Sequence, residues 1–440
     1  MGTKNHLFRV KIPNMLLRQS EKRNDRSILN KMTIMFIFLF IVSACSKEEV
    51  TTTSTSTTTG TSTTKTCYYQ IGGTVTLSGK TYYSTTNDIS AVEITGSGTL
   101  TVSNSKIWSS GNTTSTDSSS FYGLNAAVLA TSGSTITLTN DSITTTGKLG
   151  NGVFAYGTST VNMTSDTIKC LADGGHGIYA AGGGTINATN VIATSTGGSS
   201  SVIATDRGGG TITVSGGSYT AGGNNSAAVY STGNITCTNA TLTATGAEAL
   251  VIEGANYITL NNCKVKSTYN KWGSLIYQSM SGDASGTDGN LTMTDGSFTY
   301  TGNAGGMFYN TNSTANISLN NVTLINSCDT LVRCIKGSWG GSTATSGGIT
   351  NLTTSGQSLN GVIYVDTNSA FSLSLNSSST YSGRINSGNI AGSAKVTIDA
   401  SSTWTLTGNS YLSSFSDGDT SYSNITRGVY HLYVNNVELK

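Results

Sequence analysis

The chain has a single proline, Pro13, in 440 residues, and only 10% of its residues are charged. An ordinary soluble domain carries roughly 25% charge. One proline excludes a Pro-rich linker or a collagen-like repeat, even with 53 glycines present. Low charge beside regularly spaced β-branched residues excludes intrinsic disorder, which goes with high net charge and few apolar residues. The formal charge of +2 is misleading, because the basic excess lies ahead of Thr33 and the remainder is slightly acidic. No Lys/Arg cluster follows, so a nucleic-acid surface is not expected. None of the seven cysteines falls in a Cys-x-x-Cys pair, which argues against zinc-ribbon and thioredoxin-type sites. No apolar run reaches the roughly 20 residues a membrane span needs.

The front of the chain has an order of its own. Lys22, Arg23, Arg26 and Lys31 precede an apolar run from Ile34 to Val42, followed by Ser43, Ala44 and Cys45. Basic, apolar, then small is the order of an export signal. The block Val42-Ser43-Ala44-Cys45 resembles a bacterial lipobox. That resemblance implies a signal over residues 1–44 and a lipid on Cys45 as first mature residue. The alternative is an ordinary secretory signal with a chance cysteine. Ser46, Lys47, Glu48 and Glu49 resemble the export tag of Bacteroidetes lipoproteins. The tag implies an outer-membrane protein facing the cell exterior and touching lipid only through Cys45. The Thr/Ser tract that follows cannot bury a core, so residues 45–66 are expected to be a solvated tether.

From residue 67 the chain repeats. Strands of the Thr-Ile-Thr-Leu-Thr type alternate strictly, which is the β period. Their first apolar residue recurs at Val75, Leu100, Ile136, Val161, Ile186, Ile212, Ile235, Ile258, Leu291, Ile317 and Ile349. Four residues on stand Asn104, Asn140, Ser165, Asn190, Gly216, Asn239, Asn262, Asp295 and Asn321, of which Asn, Gly and Asp are types that tolerate left-handed backbone. Seven residues on, a second strand carries an apolar residue, as at Ile107, Ile143, Ile168 and Leu242. A period near 25 with one fixed bend is a turn of a β-solenoid. The Asn positions form an expected ladder: Asn104, Asn140, Asn190, Asn239, Asn262 and Asn321. This pattern resembles the pectate-lyase-like β-helix superfamily, with its Asn ladder at a tight turn. The expected fold is all-β: one right-handed parallel β-helix of about 12 coils and three strands per coil over 67–422. A C-terminal capping hairpin is expected over 423–440, from Val429, His431, Tyr433 and Val437.

That superfamily hosts enzymes and adhesins alike, so function rests on sites. Gly175-His176-Gly177 and Arg333-Cys334-Ile335-Lys336 are similar to elements of polygalacturonase-type hydrolases, but the paired acids of those enzymes are missing. A convergence of any three of His176, Asp206, Arg207, Glu253, Arg333 and Lys336 would favour an enzyme. Asp141 and Asp166 occupy one site in adjacent coils, either as solvated acids or sharing a cation such as Ca; no other cofactor or metal is implied. Cys328 and Cys334 are close enough for a disulfide, or are two free thiols. Counting outward residues on the strand before the anchor yields a stripe: Leu129, Phe154, Tyr156, Tyr179, Ile203, Tyr230, Ile252 and Phe308. Either it is open to glycans or a host or neighbouring cell surface, or insertions around 108–123 and 278–289 cover it, or the register is inverted. The expectation is a non-catalytic adhesion or glycan-binding lipoprotein. Alternatives are a polysaccharide lyase or glycoside hydrolase, and an ice-binding protein suggested by Thr-x-Thr on many strands.

Overall fold

The computed structural model describes residues 67–339 and 347–440, and the backbone of Glu48–Glu49 and Thr57–Thr59. Cys45, Ser46, Lys47 and the export signal lie outside the described residues. The described chain is a right-handed parallel β-solenoid of about 14 turns, slightly more than the pattern suggests. Most turns contribute one strand to each of three parallel sheets, here named A, B and C in the order the chain visits them, and a four-stranded and a three-stranded sheet complete the last turns. Within the tract expected as tether, Glu48–Glu49 pairs with Tyr68–Tyr69 in sheet A and Thr57–Thr59 with Thr76–Ser78 in sheet B. These two short pieces therefore continue the sheets.

Sheet B carries the anchors in register. Ile136 pairs with Leu100 and Val161, and Ile235 with Ile212 and Ile258. Two positions on, Val102, Leu138, Met163, Ala188, Val214, Cys237, Leu260, Met293 and Leu319 form a second inward column, all buried. Each fully buried Val, Leu or Ile contributes roughly 1.5–3 kcal/mol. One anchor needs correction: Ile317 pairs with Leu352, while Ile349 pairs with Thr314 and is exposed.

The B-to-C bend sits at the expected residues. Asn104, Asn140, Ser165, Asn190, Asn239, Asn262, Asp295 and Asn321 all have φ between 49 and 60°. Gly216 holds the same place, and a Cβ there would lie 2.3 Å from Asn190 Oδ1. Two rungs bond directly along the axis: Asn262 Nδ2 donates to Asn239 Oδ1 at 2.8 Å, and Asn321 Nδ2 to Asp295 Oδ1 at 2.7 Å. Ser165 and Gly216 interrupt the column. At the far end Leu432–Val434 pairs with Ser410–Leu412 and folds back on Val437–Glu438 as an antiparallel hairpin. The hairpin covers the last coil's edge. Ile425–Thr426 still pairs with the coil before it.

An aromatic pocket on the outer face of sheet A

The outward column of sheet A is set by strand pairing. Leu129, Phe154, Tyr179, Ala204, Tyr230, Val251, Leu275 and Tyr309 follow one another across neighbouring strands. Three residues of the expected stripe are therefore misplaced. Ile203, Ile252 and Phe308 point inward and belong to the main core. Ile276 and Ile363, one register with them, are inward too. The A-to-B connection explains the slip at Ile203 and Phe308. Val128, Val153 and Ile178 stand eight residues before their anchors, but Ile203 stands nine before Ile212. The extra residue sits in the turn at Gly208 and Gly209, both at positive φ.

The first half of the column is covered. Helix α1, Thr116–Tyr122, is capped by the Ser115 side chain, which accepts from Ser118 N–H, and stops at Gly123, φ 75°. A Cβ at Gly123 would strike Phe154 and Leu129. Beneath it Leu129, Phe154 and Tyr179 form a satellite core with Tyr156 at its margin. Tyr122 meets Tyr156 edge-on at 5.3 Å. This part of the stripe is closed to ligands.

Next along the axis stands a polar strut. Tyr179 Oη donates to Asp206 Oδ2 at 2.5 Å, and Arg207 reaches Asp283 at 2.8 Å while lying 3.8 Å over the Phe121 ring. Glu253 is 2% exposed. Its Oε2 accepts from Tyr230 and Tyr277 at 2.6 and 2.8 Å, and its Oε1 from Ser279 and, at 3.4 Å, Ser281. Four donors saturate a carboxylate. Burial raises Asp206 to about 6, and raises the Tyr179 phenol, with Asp206 adding to it. Asp206, Arg207 and Glu253 do gather here, but Arg207 and Glu253 tie the 278–289 insertion to the sheet and Asp206 is held by Tyr179.

His176 joins this network only through its ring, 4.3 Å from Tyr179. Its Nδ1 lies 3.0 Å from Ser201 carbonyl oxygen, and burial lowers its pKa to about 4. Arg333 stands six strands further along sheet A, stacked over Tyr364 at 4.9 Å, and Lys336 donates its backbone N–H to Asp366. These groups do not converge with His176.

The second half of the column is also largely buried, but it borders a cavity. Tyr230, Val251, Leu275 and Tyr309 floor a cavity of about 550 Å³. Trp272 stacks on Tyr309 with centroids 4.0 Å apart and planes 15° apart, and Trp339 meets Tyr277 at 4.7 Å. Tyr269 completes the aromatic wall, and Ser201, Asn225, Glu248 and Lys271 supply polar atoms. Burial raises the Glu248 carboxyl, and Lys271 opposes the rise. Trp272, Tyr269 and Trp339 are missed by the sequence reading because they come from a strand start and two loops, outside the repeat register.

Other expected sites resolve as follows. Asp141 and Asp166 are buried rather than solvated: each takes a backbone N–H of the preceding coil at 2.7 Å, from Ser105 and Asp141 respectively. Among the described residues no group of three His, Cys, Asp or Glu could hold a metal ion. Cys328 and Cys334 are free thiols, not a disulfide; Cys334 points into the core. The sheet B threonines Thr74, Thr99, Thr135, Thr160, Thr185 and Thr211 form one unbroken outward row, which ends at Asn234 and Tyr257. No described helix is long and apolar enough to cross a membrane.

The fold and this pocket define a parallel β-solenoid with an aromatic site on its outer face. No protein-family model, curated protein or solved structure matches the chain.

Proposed function

We propose that this protein is a non-catalytic, saccharide-binding lipoprotein of the outer membrane, anchored through Cys45 and facing the cell exterior. The observation that carries the binding is the pocket around Trp272, Tyr309, Tyr277 and Trp339. Its paired flat rings, with amide, hydroxyl and carboxyl groups at the rim, suit pyranose faces and their hydroxyls. Glu248 and Lys271 offset each other in charge, which favours a neutral sugar over a uronate.

The hydrolase reading is weaker. Hydrolysis needs two carboxyl groups free to act on the substrate, whereas Glu253 is saturated by hydroxyl donors and Asp206 is held by Tyr179. The ice-binding reading is weaker because the threonine row stops after six coils.

A glycan array probed with the purified protein tests the proposal. Trp272→Ala and Trp339→Ala should each weaken a hit about tenfold, ~1.4 kcal/mol. Trp108→Ala, an exposed tryptophan on sheet C, should leave it unchanged. Shortened sugar products would mark an enzyme instead, and equal binding by all three variants would remove the pocket from consideration.

A further inference from the structure

Sheet C is interrupted at one place. Its strands pair without a break from Thr81–Ser84 to Thr323–Asn326, and a separate four-stranded sheet begins at Ser358–Asn360. The same two coils stay paired in sheet B, Thr314–Asn320 on Ile349–Ser355, and in sheet A, Thr330–Cys334 on Val362–Val365. The coils are thus splayed on one side only. A cavity of about 570 Å³ lies between the two free edges, its walls including Leu324, Asn326, Cys328, Leu331, Ser358 and Asn360.

The hydrogen bonds show what the edges offer. In parallel pairing, alternate residues bond to opposite neighbours. Thr323 and Ser327 donate to Gly296 and Tyr300 of the preceding coil. Leu324 and Asn326 therefore turn their N–H and C=O toward the cavity. On the other side, Thr380 donates to Gln357 and Gly361 to Ser382, so Ser358 and Asn360 turn theirs inward as well, the Ser358 C=O accepting from Gln357 Nε2 at 2.8 Å. At one end the Gln357 carboxamide fills the break. Its Oε1 accepts from Val322 N–H at 2.8 Å, and its Nε2 donates to Val322 C=O at 2.7 Å. A side-chain amide is thus acting as the peptide group of an inserted strand. At the other end Val362 N–H donates to Asp329 C=O at 2.8 Å and closes the slot.

We propose that this slot takes an extended peptide segment of about four residues from another protein, added as a strand that completes sheet C. The N–H and C=O groups of Leu324, Asn326 and Asn360 and the N–H of Ser358 match a peptide backbone, and Gln357 already occupies one end in that role, bonded to Val322 and to Ser358 C=O. Leu324 and Leu331 line the inner wall, so inward side chains would be small and apolar. The slot lies on a different sheet from the aromatic pocket, so the two binding events are separable.

Cys328 supplies the readout, being a free, half-buried thiol on the slot wall. The probe is a capped peptide copying Ala240–Gly246, a sheet C strand of this chain. Alkylation of Cys328 in the full chain by iodoacetamide is followed by mass spectrometry. Saturating peptide should slow it at least fivefold. The same peptide N-methylated at alternate residues should not, because its donors are gone. Asn360→Pro, which removes an N–H with no acceptor among the described residues, should reduce protection while leaving thermal melting unchanged. No protection at millimolar peptide, equal protection by the N-methylated peptide, or protection by a saccharide instead would each overturn the proposal. If Asn360→Pro alters melting, the N-methylation comparison on the unaltered chain decides alone.

Discussion

At Asp141 and Asp166 the repeat puts a carboxyl group inside the tight turn, where other coils place Val191, Gly217 or Ala240. Each carboxylate receives two backbone N–H groups, Asp141 from Ser105 and Thr139, Asp166 from Asp141 and Thr164. Burial nevertheless dominates and raises the two acids to about 6 and about 7. The sign follows from linkage. A folded-state pKa above the unfolded value of 3.8 means the folded chain holds more protons between the two values, so stability falls as pH rises. The stabilisation is complete below pH 3.8 and is lost as pH passes through 6–7. The unfolding free energy from denaturant titration should therefore decline from pH 4.5 to pH 8, by an amount on the order of 5 kcal/mol. Asp166→Asn should flatten that profile, and an unchanged slope would show that Asp166 titrates normally. Residue type alone did not place these acids indoors; the same two aspartates read equally well as solvated neighbours of a turn.

The strand elements show which parts of a coil are rigidly specified. From Val75 to Leu352 the sheet C core residue stands seven positions after its anchor, for example Ile143 after Ile136 and Leu359 after Leu352. One residue is added where Ser377 and Ser378 both adopt positive φ, and Tyr381 then stands eight after Leu373. The A-to-B connection has no such constraint and admits a whole insertion between Tyr277 and Asp288. A left-handed residue is the reason the tight turn keeps its length. An L-residue with an ordinary side chain loses roughly 1–2 kcal/mol there. Asn239→Ala should cost about that much in chemical unfolding, and should also break the rung to Asn262. Asn239→Gly should cost less than half as much. Equal losses for the two variants would mean the turn is held by the Asn–Asn bond rather than by backbone conformation. The turn column was legible because Asn, Gly and Asp recur there. The outer stripe was misread at Ile203 and Phe308 because its register was counted back across a connection of variable length, and at Ile252 because that residue stands two positions after the inward Leu250.

On the scale of the whole molecule, three sheets enclose one continuous core, and function is left to their outer faces. Sheet A carries the aromatic pocket, and further along the same face α1 covers Leu129 and Phe154. Sheet C carries the slot. The proposed anchor at Cys45 lies outside the described residues. Its test is phase partition of the expressed protein: Cys45→Ser should move it from the detergent phase to the aqueous phase without changing its melting temperature. A serine variant that stayed in the detergent phase would exclude lipidation at that position.

Fold class, repeat length, the tight turn and the inward columns of sheet B were readable from the linear sequence. Each depends on local periodicity and on residues with special backbone freedom, so each is written within a few positions of itself. The pocket, the polar strut around Glu253 and the break in sheet C belong to the tertiary structure alone. They arise where loops of unequal length bring Trp272, Trp339 and Asp283 onto coils far from them in sequence, and where two coils that pair on two sheets part on the third. No local pattern records such a meeting, because it depends on how the coils stack rather than on how any one of them is patterned.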